Sequence, residues 1–150
     1  MKNIIEIVNT IVDNSIKKIN DKIIGVNFLE KFKYILIDEI NKSEINKIDL
    51  KNFGMFEDRK LNKNLLIKIE NFSETTSKIK YLCSDDKLTI VLKGSKILKI
   101  ISNSNDTESQ TLNLFETNGI VISKNTSMSE IISKNSLILD IIYLNTNIEN

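Results

Sequence analysis

The sequence predicts an α+β protein in which N-terminal amphipathic helices precede a mainly antiparallel β-sandwich or barrel. In the first third, apolar residues recur every three or four positions, which is the spacing of one helix face. From about residue 64 they alternate with polar residues in short segments, which is typical of strands. A chain of 150 residues is long enough for one hydrophobic core, so we expect one compact domain.

Two helices are predicted at the N-terminus. The first covers residues 3 to 20, and the second runs from about 28 to 42, with Asn27 as N-cap and Glu30 completing a capping box. The centre of the second, "YILI" at 34–37, is apolar all round, so a strand remains an alternative there. The apolar stripe of the first helix consists of Ile4, Ile5, Val8, Ile11, Val12, Ile16 and Ile19.

The pattern at 43–63 is the least informative, and within it "NFGMFEDRKLN" (52–62) is predicted to form a loop with a turn at Gly54. Three apolar side chains beside the turn are expected to plug into the core: Phe53, Met55 and Phe56. Residues 1–63 would then be a helical extension that covers a sheet edge or joins a dimer contact, since an apolar stripe must pack against something. Residues 64–150 would form the barrel.

About seven strands are predicted after residue 64, separated by segments rich in turn residues such as "KGS", "ETNG" and the polar loop at 102–109. Short strands at this spacing favour a sandwich or barrel, in which sheet edges are hidden. The segments are 65–70, 79–83, 88–93, 96–101, 110–115, 119–123 and 137–144.

Composition excludes several functions. Lys plus Arg number 21 against 20 Asp plus Glu, and Arg59 is the only arginine, so we expect no nucleic-acid partner. The chain has 28 Ile, 20 Lys and 20 Asn but no Ala, Pro, His or Trp, a skew typical of an AT-rich genome. Without histidine, no imidazole can act as a general base or bind a metal ion.

The single cysteine and the distribution of apolar residues indicate a cytoplasmic protein. Cys83 has no partner for an intramolecular disulfide. The N-terminal apolar stretch is interrupted by Glu6 and Asp13, unlike a secretory signal. No run approaches the roughly 20 apolar residues that cross a bilayer, so we expect no membrane partner.

Two segments of the second half match the pattern of a known family. "KLTIVLKGSKILKI" (87–100) is a strand and tight turn with Gly94 as the final glycine, and in "LFETNGIVISKNTSMSEIISKNSLILDII" (114–142) Gly119 precedes a strand. Over roughly residues 64–144 the chain resembles the cupin superfamily, which includes nucleotide-sugar epimerases and ketoisomerases. The resemblance implies a jelly-roll barrel.

The family's metal-binding positions hold other residues here. The resemblance puts its glutamate at Lys87, two of its histidines at Tyr81 and Cys83, and the third at Glu130. A divalent transition metal is usually held by neutral imidazoles and carboxylates, and an ammonium group would repel it. The resemblance therefore implies a barrel without a metal and without histidine-based sugar chemistry. A different metal set remains conceivable: Cys83, Asp85, Asp86 and Glu130.

Each candidate residue has a functional and a structural interpretation. Lys87 and Glu130 would form an internal ion pair that grips a polar ligand, or would be solvated strand ends. Cys83 lies on one predicted strand face with Tyr81, as a nucleophile or, more simply, as a small core residue. Asp140 or Glu130 would be a base if an apolar pocket raised its pKa.

Three lysines of one hairpin are predicted to form a solvated face that guards a sheet edge. They are Lys93, Lys96 and Lys99.

We therefore expect a metal-free, cupin-like protein, without a cofactor and non-catalytic, that binds a small polar, sugar-like ligand through Tyr81, Cys83, Lys87 and Glu130. The alternative is a structural or interaction protein whose barrel is filled with side chains. It would form a homodimer or contact another protein. Enzymatic activity stays open, although histidine-based epimerase or ketoisomerase chemistry is excluded because the chain has no histidine.

Overall fold

The computed structural model describes residues 3–19, 22–47, 53–60, 64–101 and 109–144. Within these ranges two helices precede nine strands, which form two antiparallel sheets. The predicted α+β class is therefore confirmed. Most of the predicted polar loop at 102–109 lies outside the described residues. None of the described helices is long and apolar enough to span a bilayer.

Both helices form where the apolar periodicity predicts them. Helix α1 spans Ile4–Lys17, and its N-cap Asn3 accepts a hydrogen bond from the backbone N–H of Glu6 at 2.8 Å. Helix α2 spans Gly25–Lys42, so the "YILI" segment is helical. The capping box at Asn27 is wrong, because the N–H of Phe28 bonds to the carbonyl of Ile24 at 3.3 Å and starts the helix before Asn27.

The loop predicted at 52–62 is wrong in part, and the segment before it also contains a regular element. A short 3₁₀ helix forms at Ile45–Lys47, and Met55–Lys60 is a strand, β1, that pairs with the next strand. The charged sequence of β1 shows no apolar alternation, because an edge strand is held mainly by hydrogen bonds to its neighbour and not by burial of its side chains. Phe53 and Phe56 pack against the core as predicted, whereas Met55 is exposed.

The nine strands divide between a five-stranded sheet of order β1-β2-β9-β4-β7 and a four-stranded sheet of order β3-β8-β5-β6. We call them the large and the small sheet. The remaining strands are β2 (Leu65–Phe72), β3 (Thr76–Leu82), β4 (Asp86–Lys93), β5 (Lys96–Ile101), β6 (Ser109–Leu114), β7 (Gly119–Ile122), β8 (Ser127–Ile132) and β9 (Ser136–Tyr143).

A tight turn at Gly94 carries the chain from β4 in the large sheet to β5 in the small one. Gly94 has a φ of +85°, which favours glycine. The start of β9 also packs closely against it, since a Cβ added at Gly94 would lie 2.8 Å from the Cα of Ser136. Glycine is therefore required both by conformation and by space.

The large sheet lies between two layers. One face packs against α1 and α2, and this interface contains the larger cluster of buried apolar residues. The opposite face packs against the small sheet, where a smaller apolar cluster forms. The helices thus fold onto the sheet of their own chain and cover its face, not the sheet edge that the sequence suggested.

Candidate functional site

The inner face of the large sheet, which faces the small sheet, carries ionisable side chains. In β2, β4 and β9 every second residue is apolar and faces the helices, so the residues between them face inward. Asp140 in β9 lies directly between Lys68 of β2 and Thr89 of β4. This register brings a cation, a carboxylate and a hydroxyl side by side.

The small sheet contributes a second group of polar residues from β3, β5 and β8. The ammonium group of Lys96 donates to Thr89 Oγ1 at 3.1 Å and lies 3.5 Å from Glu130 Oε2. The hydroxyl of Tyr81 donates to Glu130 Oε1. Residues of both sheets are therefore joined through one hydrogen-bonded network.

Lys96 corrects the interpretation of the lysine-rich hairpin as a solvated face. Its side chain is 1% exposed, because Lys96 and Leu98 point into the space between the sheets while Ile97 and Lys99 point outward. The predicted ion pair between Lys87 and Glu130 also needs correction, since the cation that pairs with Glu130 is Lys96.

A cavity of about 210 Å³ lies between the sheets at this network. Ionisable groups of both signs lie in its wall, together with Phe72, Ile132 and Ile138 as apolar surface. The barrel is thus packed with apolar side chains in one part and open in another. The ionisable residues of the lining are Lys68, Glu70, Lys78, Tyr81, Lys87, Glu130 and Asp140.

Asp140 has the most unusual environment in the cavity wall. Burial raises the pKa of its carboxyl, but the charges of Lys96 and Lys87 and a hydrogen bond from Thr89 outweigh this effect, so the pKa lies below its usual value. The expectation of a base with a raised pKa is therefore wrong for Asp140. Its Oδ1 atom is buried and has no hydrogen-bond partner among the described residues.

Tyr81 connects the ion pair to the mouth of the cavity. Burial, followed by the hydrogen bond to Glu130, raises the pKa of its hydroxyl far above the usual value, so the group remains a neutral donor. The ammonium groups of Lys78 and Lys87 lie 3.9 Å and 5.9 Å from the centre of its ring. A shift of register between Lys78 and Tyr81 turns the Tyr81 ring toward the cavity.

Cys83 lies next to the cavity but does not line it. Its thiol is buried and donates to the backbone carbonyl of Asp85 at 3.1 Å. Burial raises the pKa of the thiol, although Lys87 opposes the shift. The other three predicted binding residues, Tyr81, Lys87 and Glu130, all line the cavity. Their role in binding stays a prediction.

The cavity does not fit a metal ion of the kind that the cupin family holds with histidine and glutamate. The described residues contain no group of three or more His, Cys, Asp or Glu side chains that could hold a metal ion. Around the carboxylates stand the ammonium groups of Lys68, Lys87 and Lys96 instead, and these would repel a divalent cation. The alternative set of Cys83, Asp85, Asp86 and Glu130 is not such a group either, so it does not form a metal site among the described residues.

The sequence interpretation missed Lys68, Thr89 and Lys96 as residues of the site. Lys68 and Thr89 alternate with buried apolar residues, which was a signal that they share one face. Nothing in the local pattern distinguishes Lys96 from Lys99, because the segment "KILKII" has apolar residues on both faces. Only the packing of the two sheets shows which lysine is inside.

Comparison of the structure with solved proteins shows the type of barrel. Oxalate decarboxylase from Bacillus subtilis aligns with a TM-score of 0.53 and 12% sequence identity over 64% of this chain, but over only 26% of its own. KdgF from Halomonas sp. aligns with a TM-score of 0.50 and 11% identity over 62% of this chain and 79% of its own. The jelly-roll barrel that the resemblance implied, a cupin fold, is therefore confirmed.

A cupin superfamily protein from Desulfitobacterium hafniense also aligns, with a TM-score of 0.49 and 13% identity over 67% of this chain and 86% of its own. No family model matches the sequence, and no curated protein matches it. At identities this low, similarity to solved structures establishes the fold and not the activity.

Proposed function

We propose that this protein is a metal-independent, non-catalytic binding protein that holds a small polar ligand, such as a sugar-like molecule, between its two sheets. The observation that carries the proposal is the cavity whose wall contains the buried Asp140 carboxylate, one oxygen of which has no hydrogen-bond partner in the described part of the chain. An unpaired buried carboxylate oxygen is unfavourable. A ligand that donates a hydrogen bond there would remove this cost.

The ionic lining supports binding in preference to a purely structural role. Replacing a buried ion pair by apolar residues often leaves stability unchanged or raises it, so a barrel needed only for structure has no use for so many charges. The lining combines cations, carboxylates and the neutral Tyr81 hydroxyl, which suits a small polar molecule. The near-balanced charge of the chain supports such a ligand over nucleic acid.

Two features favour a non-catalytic role. A general base works best with a pKa near neutrality, whereas the Asp140 pKa is lowered. The second carboxylate, Glu130, is engaged by Lys96 and Tyr81.

The lone cysteine supports a reducing compartment such as the cytoplasm.

Native mass spectrometry of the purified chain, with elemental analysis of the same sample, tests the proposal. The wild type is expected to carry a small molecule after purification or after incubation with a metabolite extract, and no stoichiometric metal. Thr76 lines the cavity and is exposed, so Thr76→Phe should block the mouth and abolish the adduct. Thr111→Phe, the same change at an exposed position of β6, is the matched control and should keep it.

The absence of any adduct from the wild type in both conditions contradicts the binding function. A stoichiometric metal contradicts metal independence. An adduct that survives in Thr76→Phe contradicts this location of the site.

The second candidate function is a homodimer formed through the outer face of the small sheet, which no helix covers among the described residues. Four large apolar side chains are exposed there: Ile79, Leu82, Ile97 and Ile131. Ile97 and Ile131 are direct neighbours on adjacent strands. Light scattering of Ile97→Lys against Lys99→Met, an exposed change on the same strand, tests this candidate. It requires a wild-type dimer that only Ile97→Lys converts to a monomer.

A further inference from the structure

We infer that the ligand is a hydroxylated anion whose carboxylate or phosphate group is held by the ammonium groups of Lys78 and Lys87 and whose hydroxyl donates to Asp140, with no metal ion between them. The inference rests on the proposed function and specifies the class of ligand for the same cavity.

Of the four lysines in or beside the cavity wall, Lys78 and Lys87 have no carboxylate partner among the described residues. Lys68 is paired with Glu70 at 3.6 Å and Lys96 with Glu130 at 3.5 Å. For Lys78 and Lys87, no carboxylate oxygen of the described residues lies within the 4 Å of an ion pair; the contact of each is with the Tyr81 ring. Both ammonium groups therefore remain able to bind an anion.

Lys78, Lys87 and Tyr81 line the same cavity, and the two ammonium groups lie 3.9 Å and 5.9 Å from the centre of the Tyr81 ring. Lys78 and Lys87 lie against the same ring, which is held in turn by the hydrogen bond from Tyr81 to Glu130. Part of the conformational entropy that two lysines lose on binding an anion is therefore lost before the ligand arrives. An anionic group between them would gain two charge-assisted contacts.

Asp140 sets the second requirement, which is a donor on the ligand. The carboxylate only accepts hydrogen bonds, and Oδ1 has no partner among the described residues. The χ2 torsion of an aspartate is broad, so a small rotation of the carboxylate would point Oδ1 into the cavity that Asp140 lines. A ligand ammonium group would be repelled by Lys68, Lys87 and Lys96, so a neutral hydroxyl is the better donor.

The size of the cavity limits the ligand. Its volume of about 210 Å³ lies below the roughly 300–1,000 Å³ of typical small-molecule pockets. A hydroxy acid or hydroxyalkyl phosphate with a short carbon chain fills such a volume.

The test measures binding to the full chain by isothermal titration calorimetry, with EDTA, at neutral pH. One probe set has three carbons: glycerate, glycerol 3-phosphate, glycerol and propionate. The second has six: gluconate, glucose 6-phosphate, glucitol and hexanoate. In at least one set, the acid or the phosphate that carries hydroxyl groups is expected to bind at least about tenfold more tightly than the neutral polyol and the acid without a hydroxyl. Comparison of the acid with the phosphate identifies the anionic group.

Three variants assign the contacts. Lys87→Met should weaken binding of the hydroxylated anion at least about tenfold and leave the polyol unchanged. Asp140→Asn should weaken the hydroxylated anion and leave propionate or hexanoate unchanged. Lys99→Met removes an exposed lysine from the outer face of the small sheet and should change nothing.

The outcomes separate this inference from the proposed function. If the polyol binds as tightly as the anion, if Lys87→Met has no effect, or if EDTA abolishes binding, the inference is overturned while a ligand site remains. If no probe binds but native mass spectrometry finds an adduct, an elemental composition without an acidic group overturns the inference, and one with an acidic and a hydroxyl group supports it. If neither probes nor adduct bind, both proposals fail.

Discussion

The two faces of the large sheet differ sharply although the same strands build them. On the face toward the helices, the buried residues of the three central strands are all apolar, among them Leu65, Ile67, Ile69, Leu88, Ile90, Leu92, Leu137, Leu139 and Ile141. The face toward the small sheet carries Lys68, Glu70, Lys87, Thr89 and Asp140 in the corresponding strands. In a simple two-layer sandwich the apolar face would meet the other sheet and the polar face would meet water.

This difference assigns stability to one face of the sheet and, under the proposed function, ligand binding to the other. The apolar face needs the helices as a cover, because it would otherwise expose a large apolar surface to water. The charged face contributes little net stability, since desolvation offsets most of the attraction between its charges. Changes under the helices should therefore affect folding, and most changes in the cavity should affect binding.

The largest effect is expected at the helix-covered face. Phe32 on α2 is completely buried and stacks on Phe28 with ring centres 5.3 Å apart. Phe32→Ala should lower the free energy of unfolding by about 4 kcal/mol, measured by urea denaturation. Tyr34→Ala, at a position 70% exposed on the same helix, should change it by less than about 0.5 kcal/mol. If Phe32→Ala and Tyr34→Ala lower the free energy of unfolding equally, the helix-covered face is not the main source of stability.

The buried ion pair gives the next largest effect. Lys96→Met leaves Glu130 without its cation and should lower the free energy of unfolding by about 3 kcal/mol. The double variant Lys96→Met, Glu130→Gln removes both charges and should recover part of this loss. If the double variant is as unstable as the sum of the two single ones, the pair does not act as a unit.

The contribution of the charged face to stability is expected to depend on pH through Asp140. Because the folded-state pKa of Asp140 is lowered, its charged form stabilises the fold above the unfolded value of about 3.9, and the contribution is lost as the pH falls through the folded pKa. The stability difference between wild type and Asp140→Asn should therefore be largest at neutral pH and shrink below about pH 4. Urea denaturation at pH 7 and pH 3 measures it, and a constant difference would contradict the lowered pKa.

The smallest effect concerns the thiol beside the cavity. Burial raises the pKa of Cys83, so little thiolate forms near neutral pH. Iodoacetamide at pH 8 should leave Cys83 unmodified in the native protein during the time in which the urea-unfolded chain reacts completely. Mass spectrometry measures the modification. Rapid labelling of the native protein would show that this part of the barrel is open.

Local pattern predicted most of the elements. The spacing of Ile4, Val8 and Ile11 predicted α1, and the sequence predicted the strands from residue 65 onward except β8 (Ser127–Ile132). The pattern failed at Met55–Lys60, where pairing with β2 makes a strand of a charged segment. It failed again at Lys96, whose neighbours are apolar on both faces. In both places the decisive contact is with another strand, β2 for Met55–Lys60 and the opposite sheet for Lys96, so the pattern within the segment does not show it.

The sequence by itself determined the class of the fold and the exclusion of histidine chemistry, because periodicity and composition are properties of the chain alone. It also indicated that Tyr81, Lys87 and Glu130 belong near one place, and they line one cavity. Only the tertiary structure decided that Lys96, and not Lys87, neutralises Glu130, and that lysines surround Asp140. Alternation states which side chains share a face. Which face becomes core and which becomes a charged cavity depends on what packs against it, and that is set by contacts between distant segments.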